Sequence, residues 1–292
     1  MKINFKKNNK FIFFIKINKD YSKEIINNKF NLIFYYSQGI PYDNAENLEE
    51  CKHIIEKIAN NKVDKIIYYN SEILNRLNYN QYIKNYNNNG VISGNIYACN
   101  LGFYSWKPLI IYLELHKLNI NDILIYRDIN CIKYPQYKNY NNFKNNIIKL
   151  LDLCKYDFVI TRENNDYTIE NFCKIDVIKE LGDNHQFTYN FPLLIANLII
   201  IKKTSISLEL VKEWLNACNN YRWINGEVYT QNSDKFRWHT PEQSILSIII
   251  SNWIRKRKNG IPLNYPNIIL KNREIDNIII PNNYTYLKYI DY

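Results

Sequence analysis

"NDILIYRDINCIKY", residues 121–134, is an apolar run that ends at an aspartate, with an asparagine two places further on. Its first part, DILIY at 122–126, predicts a short buried β-strand. In open α/β sheets, ligands bind beyond the carboxyl ends of the strands. Asp128 and Asn130 therefore either present two oxygen atoms to one ligand, because residues two apart in an extended chain point the same way, or form an ordinary turn.

The elements around this strand alternate in a regular order. The runs FNLIFYYS (30–37) and KIIYYN (65–70) predict strands, and apolar residues at helical spacing predict a helix over 45–60 between them. Such a unit implies parallel strands joined by a right-handed crossover. Further segments continue the alternation: helices at 107–118, 146–154, 207–218 and 241–256, and strands at 156–161 and 193–203. This order predicts an α/β fold with a mostly parallel central sheet flanked by helices.

Length and composition limit how the chain is organised. Its 292 residues, 46% of them hydrophobic, suffice for one large domain, which we expect to cover 1–292 with a core at about 30–260. The six cysteines are widely spaced, without the clusters of zinc sites, and predict reduced thiols in a cytoplasmic protein. No apolar stretch approaches the roughly 20 residues that cross a bilayer, so no transmembrane segment is expected.

The net charge of +10 allows an anionic partner such as a nucleotide, a nucleic acid or a lipid surface. The basic residues form no continuous stripe, so no nucleic-acid partner is expected. The chain has neither GxxxxGK[ST] nor GxGxxG, and only seven glycines. If a nucleotide binds, a metal ion and side chains must hold its phosphates, and the oxygen atoms of Asp128 and Asn130 are of the type that Mg²⁺ and Mn²⁺ prefer.

Two segments carry a family resemblance. GFYSWKPLIIYLELHKLNINDILIYRD (102–128) and HTPEQSILSII (239–249) resemble segments of glycosyltransferase-like proteins from bacterial surface-polysaccharide clusters and large DNA viruses. The first matches a Gly-aromatic-x-x-Trp-Lys-Pro segment, a helix and a strand ending in Tyr-x-Asp. The second matches His-x-x-Asp-Gln-Ser-Ile-Leu, with Glu242 in place of the aspartate. The resemblance covers residues 30 to 260, roughly the predicted core.

The resemblance implies a GT-A fold, a single nucleotide-binding domain that transfers a sugar with the help of Mn²⁺ or Mg²⁺. The expected donor is a nucleotide-sugar, specifically a uridine diphosphate sugar, and the acceptor is a hydroxyl of a glycan or protein. Asp128 resembles the first acid of the Asp-x-Asp metal motif. Asn130 stands where the second acid is usual and offers a carbonyl oxygen without charge, which lowers the expected metal affinity. His239 is the implied third metal ligand, unless it is a histidine hydrogen-bonded near a helix start.

The same resemblance points to catalytic residues at the start of the last predicted helix. Glu242 is either a general base that deprotonates the acceptor hydroxyl, giving inversion, or an acid that stabilises the helix dipole. The alternative is a retaining mechanism, in which Gln243 supports one face of the sugar.

Further residues are candidates for holding the donor. Trp106 and Lys107 precede a helix whose amino end can bind an anion, or they pack in the core with the lysine amine reaching out. In GT-A proteins the end of the first strand usually holds the base and ribose, here Tyr36, Ser37 and Gln38. The remaining candidates are polar residues in or near matching segments: Lys174, Asp176 and Asn197, of which Asn197 is equally explained by an edge turn or a bulge.

The sequence leaves two rival functions open. One is a non-catalytic relative that keeps the fold and acts as a binding or structural protein, favoured by Asn130. The other is a nucleic-acid-binding protein, motivated by the charge of +10. The expected location is the cytoplasm, or for a viral protein the host cytoplasm or the virion.

Overall fold

A computed structural model describes residues 30–35, 64–69, 73, 103–128, 157–162, 167–258 and 268–272 of the chain. The predicted helices at 45–60 and 146–154 lie outside these residues, as do Tyr36, Ser37, Gln38 and Asn130. For Asp128 and Asn197 the backbone position is described.

Six described strands form one mixed sheet. They are β1 (Phe30–Tyr35), β2 (Lys65–Tyr69), β3 (Ile123–Asp128), β4 (Phe158–Arg162), β5 (Leu194–Lys202) and β6 (Ile268–Asn272). Their order across the sheet is β2-β1-β3-β5-β4-β6. β5 is antiparallel to both of its neighbours and the other described pairings are parallel, so five of the six strands point the same way.

The described helices lie between and after these strands. They are α1 (Trp106–Lys117), α2 (Ile169–Phe172), α3 (Ile175–Leu181), α4 (Gln186–Asn190), α5 (Ser205–Cys218), α6 (Tyr221–Ile224) and α7 (Pro241–Lys258). The predicted helices at 107–118, 207–218 and 241–256 are confirmed as α1, α5 and α7. The short helices α2, α3, α4 and α6 were not predicted, and neither was β6.

Local chemistry explains where the long helices begin. Pro108 lies in the first turn of α1, where its missing N–H leaves no hydrogen bond unmade. α5 begins with a capping box, in which Thr204 Oγ1 accepts from Ser207 N at 3.1 Å and Ser207 Oγ accepts from Thr204 N at 3.0 Å. Buried residues of α5 recur at helical spacing, as at Leu210, Trp214 and Cys218, so one face of this helix packs into the core.

The direction of the chain connections reverses between β1 and β3. From β1 the chain moves to β2 on one side, whereas β3 lies on the other side of β1. Asp128, the last residue of β3, is in register with Tyr35, the last residue of β1. The carboxyl ends of two parallel strands therefore meet at a topological switch point, which is where open α/β sheets bind ligands.

An irregularity in β5 lies beside this edge. Along β4 the pairing partner jumps from Ile199 to Ile195 of β5 between two consecutive residues, which marks a bulge that contains Asn197. On its other side β5 pairs with β3 up to Leu198, which is opposite Arg127. The bulge therefore lies at the same end of the sheet as Asp128. In the described part of the chain, no helix is both long and apolar enough to span a membrane.

Candidate functional site

A buried ion pair joins the first turns of α1 and α7. Lys107 Nζ lies 2.9 Å from Glu242 Oε1. Only 4% of Lys107 and 5% of Glu242 is exposed to solvent. Removing two charges from water costs several kcal/mol per ion, so such a pair persists only with good geometry and further polar contacts.

Three aromatic rings surround the ammonium group of this pair. Lys107 Nζ lies 5.8 Å from the ring centroids of Tyr104 and Trp106 and 5.5 Å from that of Tyr126, within the range of cation–π attraction. The Trp106 and Tyr126 rings are themselves in tilted contact at 6.5 Å. The rings give the lysine charge favourable contacts in a place that excludes water.

The turn before α1 has an unusual backbone. Phe103 and Tyr104 both have positive φ, 54° and 67°, a left-handed conformation that costs a non-glycine residue about 1–2 kcal/mol. Lys107 N donates to Tyr104 O at 2.9 Å, which closes this turn onto the helix. The strained turn brings the Tyr104 ring back over the Lys107 side chain.

The helix α5 holds both ends of the pair in place. Trp214 Nε1 donates to the backbone oxygen of Glu242 at 2.9 Å. Ser105 Oγ, just before α1, donates to Cys218 O at 3.3 Å. The Cys218 thiol is fully buried, and burial followed by the Glu242 charge raises its pKa well above the usual range. This thiol therefore stays protonated and unreactive beside the pair.

Gln243, next to Glu242, reaches the bulge in β5. Its Oε1 accepts a hydrogen bond from the backbone N–H of Ala196 at 3.3 Å. Because a backbone N–H can only donate, this contact fixes which end of the amide faces β5. The Nε2 group therefore points away from Ala196, and it has no hydrogen-bond partner among the described residues. Gln243 as a whole is half-buried.

The described residues thus bring together part of the predicted site. The end of β3 with Asp128, the β5 bulge with Asn197, and Gln243 lie at one edge of the sheet. Tyr126, two residues before Asp128 in β3, contacts both Trp106 and Lys107. The Lys107–Glu242 pair therefore packs directly behind the carboxyl end of β3.

Lys174 and Asp176 have protein partners elsewhere. Lys174 is fully buried, and its Nζ donates to Arg222 O and to Asn225 Oδ1, both at 2.7 Å. Burial lowers the pKa of Lys174 to about 8, although neighbouring anionic groups, including Asp176, offset part of this. Asp176 Oδ2 accepts from the N–H groups of Tyr229 and Thr230, at 3.1 and 3.2 Å. Both side chains fasten the segment between α6 and α7, and their role as pocket residues stays a prediction.

His239 is buried just before α7. Its Nε2 lies 2.9 Å from the backbone oxygen of Trp223, so this nitrogen carries the proton and donates. Burial, and then the positive charge of Lys174, lower the pKa of His239 to about 3. Within the described ranges, no group of three or more His, Cys, Asp or Glu side chains could hold a metal ion. The predicted metal set of Asp128, Asn130 and His239 stays a prediction, with the Nε2 atom of His239 already in use.

The residues that complete the ion-pair site were not predicted from the sequence. Tyr104, Tyr126, Trp214 and Cys218 read as ordinary core residues of a turn, a strand and a helix. The only local signal was the density of aromatic residues around Trp106. Neither the protein-family models nor the curated proteins compared with this chain gave a match.

We predict that Lys107→Met destabilises the fold strongly, because it leaves the Glu242 carboxylate buried without its cation. The expected loss in the free energy of unfolding is about 3–5 kcal/mol, measured by urea denaturation. The double variant Lys107→Met/Glu242→Met removes both charges and should recover most of this loss.

A control for this cycle is the pair of Lys235 and Glu170, in which Lys235 Nζ lies 3.1 Å from Glu170 Oε2 and the lysine is exposed to solvent. Lys235→Met should cost no more than about 1 kcal/mol, since solvent screens that pair. If Lys107→Met costs as little as Lys235→Met, or if the double variant is as unstable as the sum of its single variants, the pair does not organise the site.

The depressed pKa of His239 predicts part of the acid sensitivity of the fold. Below about pH 6.5 the unfolded chain takes up a proton at this residue that the folded protein refuses until about pH 3. The stability that the neutral His239 side chain contributes at higher pH is therefore lost progressively as the pH falls from 6.5 towards 3.

This linkage can be measured with His239→Gln, which keeps a donor for the Trp223 oxygen. Chemical denaturation at several pH values between 3 and 7 should give a shallower loss of stability for the variant than for the wild type. Parallel curves for the two proteins would show that His239 accepts a proton as readily in the folded state as in the unfolded chain.

Proposed function

We propose that the chain is a GT-A type glycosyltransferase that moves a sugar from a nucleotide-sugar to a hydroxyl of a glycan or protein. A uridine diphosphate sugar is the expected donor. The observation that carries the proposal is the meeting of Asp128 and Tyr35 at the carboxyl ends of β3 and β1. This is the switch point of the sheet, where α/β proteins bind nucleotides and similar ligands.

The segments that follow these two strands support a nucleotide there. Tyr36, Ser37 and Gln38 continue directly from β1, where the resembled family holds the base and ribose. Asn130 follows Asp128 by two residues. With few glycines available for a phosphate loop, carboxylate and amide oxygens must carry the binding of a diphosphate through a cation.

A divalent metal, when bound, would neutralise the negative charge that develops on the departing diphosphate. Among the described residues, Asp128 is best suited to hold it, because it is an acid at the switch point. His239 is less suited, since its Nε2 is engaged with the Trp223 oxygen. We therefore assign the metal to Asp128 and Asn130 rather than to a set that includes His239.

In the transfer, a bond forms between the acceptor oxygen and the anomeric carbon while the bond from that carbon to the diphosphate oxygen breaks. The bonding electrons leave with the diphosphate, and the hydroxyl proton passes to a basic group. Glu242 is poorly placed to act alone as that base, because its carboxylate is paired with Lys107 at 2.9 Å. The pairing favours a positioning role for Glu242.

Gln243 is the residue of the α7 start that can reach a sugar. Its Oε1 is held by Ala196 N at the β5 bulge, which leaves the two Nε2 donors for substrate hydroxyls. A donor group fixed in this way needs little reorganisation when the substrate binds. We propose that Gln243 orients the donor sugar.

A second candidate is a nucleotide-sugar-binding protein without turnover. The occupied carboxylate of Glu242 favours it, because the most obvious general base is not free. Slow hydrolysis of a bound donor to the free sugar and a nucleoside diphosphate separates the candidates, since the transferase should catalyse it and the binding protein should not. Either protein would act in the cytoplasm, where thiols such as Cys173 and Cys218, both free, remain reduced.

The proposal predicts stabilisation by nucleotides. A panel of nucleoside diphosphates and nucleotide-sugars is tested by thermal unfolding with and without Mn²⁺. At about 100 times the Kd of a ligand we expect the Tm to rise by about 5–10 °C, with uridine diphosphate among the best and Mn²⁺ strengthening the effect. Asp128→Ala should abolish the metal-dependent part.

Two further variants sharpen this test. Gln243→Ala should reduce the shift given by the nucleotide-sugar and leave that of the nucleoside diphosphate unchanged, because Gln243 faces the sugar. Asp234→Ala removes an exposed acid in the segment before α7 and should leave every shift unchanged. If no nucleotide stabilises the wild type, both the transferase and the nucleotide-sugar-binding protein are excluded.

A further inference from the structure

The connection between α6 and α7, residues 225–240, exposes an unusual amount of apolar surface. Among the described residues four large hydrophobic side chains are exposed, and three of them lie here: Val228, Tyr229 and Trp238. Connections without helix or strand that exceed about 12–15 residues are uncommon in compact domains and are often functional. The connection also ends directly at the first turn of α7, which carries Glu242 and Gln243.

Hydrogen bonds hold this connection against the segment that carries α2 and α3. Asn232 Oδ1 accepts from Ile175 N at 2.8 Å, and Asn171 Nδ2 donates to Lys235 O at 3.2 Å. Arg237 N donates to Asn171 O at 2.8 Å. Together with the contacts of Lys174 and Asp176, these bonds fix the backbone, so the exposed side chains are presented on a rigid base.

Tyr229 is not available to stack on a ligand. The Arg222 guanidinium lies 5.1 Å from its ring centroid and Lys174 Nζ lies 5.5 Å from it. Its hydroxyl donates to Glu227 and accepts from Asn225 Nδ2 at 2.9 Å. The ring and the hydroxyl of Tyr229 therefore already have partners within the protein.

Trp238 differs from Tyr229 in each of these respects. It is 50% exposed, and its ring touches Phe172 edge-on at 4.8 Å. Among the described residues its indole N–H has no hydrogen-bond partner. The exposed Arg237 guanidinium lies 4.9 Å from the Tyr167 ring and 5.9 Å from the Phe172 ring, so that Arg237 and Trp238 both contact Phe172. A tryptophan left open on a rigid backbone is typical of a binding hot spot.

We propose that Trp238 is the platform for a sugar ring of the acceptor, so that the acceptor of this transferase is a glycan. The inference rests on the proposed function. A pyranose ring has an apolar face of C–H groups that stacks on an indole, while its hydroxyls need polar partners at the rim, here the indole N–H and Arg237. Trp238 precedes Glu242 by four residues, so a sugar on it lies close to the start of α7.

The alternative occupant, a second copy of the chain, fits this surface less well. A stable protein interface buries about 800 Å² on each partner around a broad apolar centre. The residues between Val228 and Trp238 are mostly polar. The half-exposed indole of Trp238 alone offers only a fraction of the area that a stable interface needs. A single flat ring with polar neighbours matches the size of a sugar.

The test uses the full chain and an array of immobilised monosaccharides and oligosaccharides. We expect the wild type to bind a subset of these glycans, and titration calorimetry then gives the Kd for the tightest. Trp238→Ala should weaken this binding at least about tenfold, and Trp238→Phe should lose much less, because it keeps a ring. Val228→Ala, an exposed apolar residue of the same connection, is the matched control and should bind like the wild type.

The stabilisation by uridine diphosphate separates this inference from the proposed function. If uridine diphosphate still stabilises Trp238→Ala while glycan binding is lost, both the sugar platform and the proposed transferase function are supported. Glycan binding that depends on Trp238 in a protein without any nucleotide shift would keep the sugar platform and remove the transferase. A silent array, or equal glycan binding by wild type and Trp238→Ala, would overturn the platform. Dimers in sedimentation that Trp238→Ala dissociates would also overturn it, in favour of a self-interface.

Discussion

The ion pair of Lys107 and Glu242 is the contact on which the arrangement of the candidate site depends. It joins the starts of α1 and α7, two helices far apart in the chain, and it is almost fully buried. Such a pair is expensive to desolvate, and the three rings around Lys107 and the bond from Trp214 to the Glu242 backbone supply the contacts that hold it. Because the pair fixes the first turn of α7, it also fixes where Gln243 stands.

The start of α7 lies at the edge of the sheet that is formed by the carboxyl ends of β1 and β3. The ends of β1 and β3 meet at the reversal of the chain connections, and the bulge of β5 lies beside them. A bulge of this kind re-aims the chain at the end of a strand, and here its Ala196 N–H takes up the oxygen of Gln243. The connection before α7 adds a second surface, on which Trp238 is held open by a backbone that Lys174 and Asp176 fasten. A ligand at the sheet edge and a ligand on Trp238 would both lie near the start of α7.

The fold was more predictable from the sequence than the site. The long helices and the inner strands carry clear apolar periodicity, whereas α2, α3, α4 and α6 are too short to show any. Lys107 and Glu242 were both candidates, but residues 135 apart in sequence gave no sign that they pair with each other. The two alternatives for Asn197 included a bulge, and β5 does have an irregular register at that point. Lys174 was a candidate because it lies in a segment that matches the resembled family. Nothing in the sequence indicated its partners Arg222 and Asn225, which lie 48 and 51 residues further on, in α6 and just after it.

Hydrogen exchange of the backbone amides, with and without uridine diphosphate and Mn²⁺, tests most directly whether the switch point is the ligand site. Amide exchange reports local opening, so a bound ligand slows it where it contacts and orders the chain. We predict slower exchange at the end of β3 around Asp128 and in the first turn of α7 at 241–244, with α3 unchanged. Slower exchange confined to other segments, or no change anywhere in a protein saturated with the nucleotide, would show that the switch point is not the ligand site.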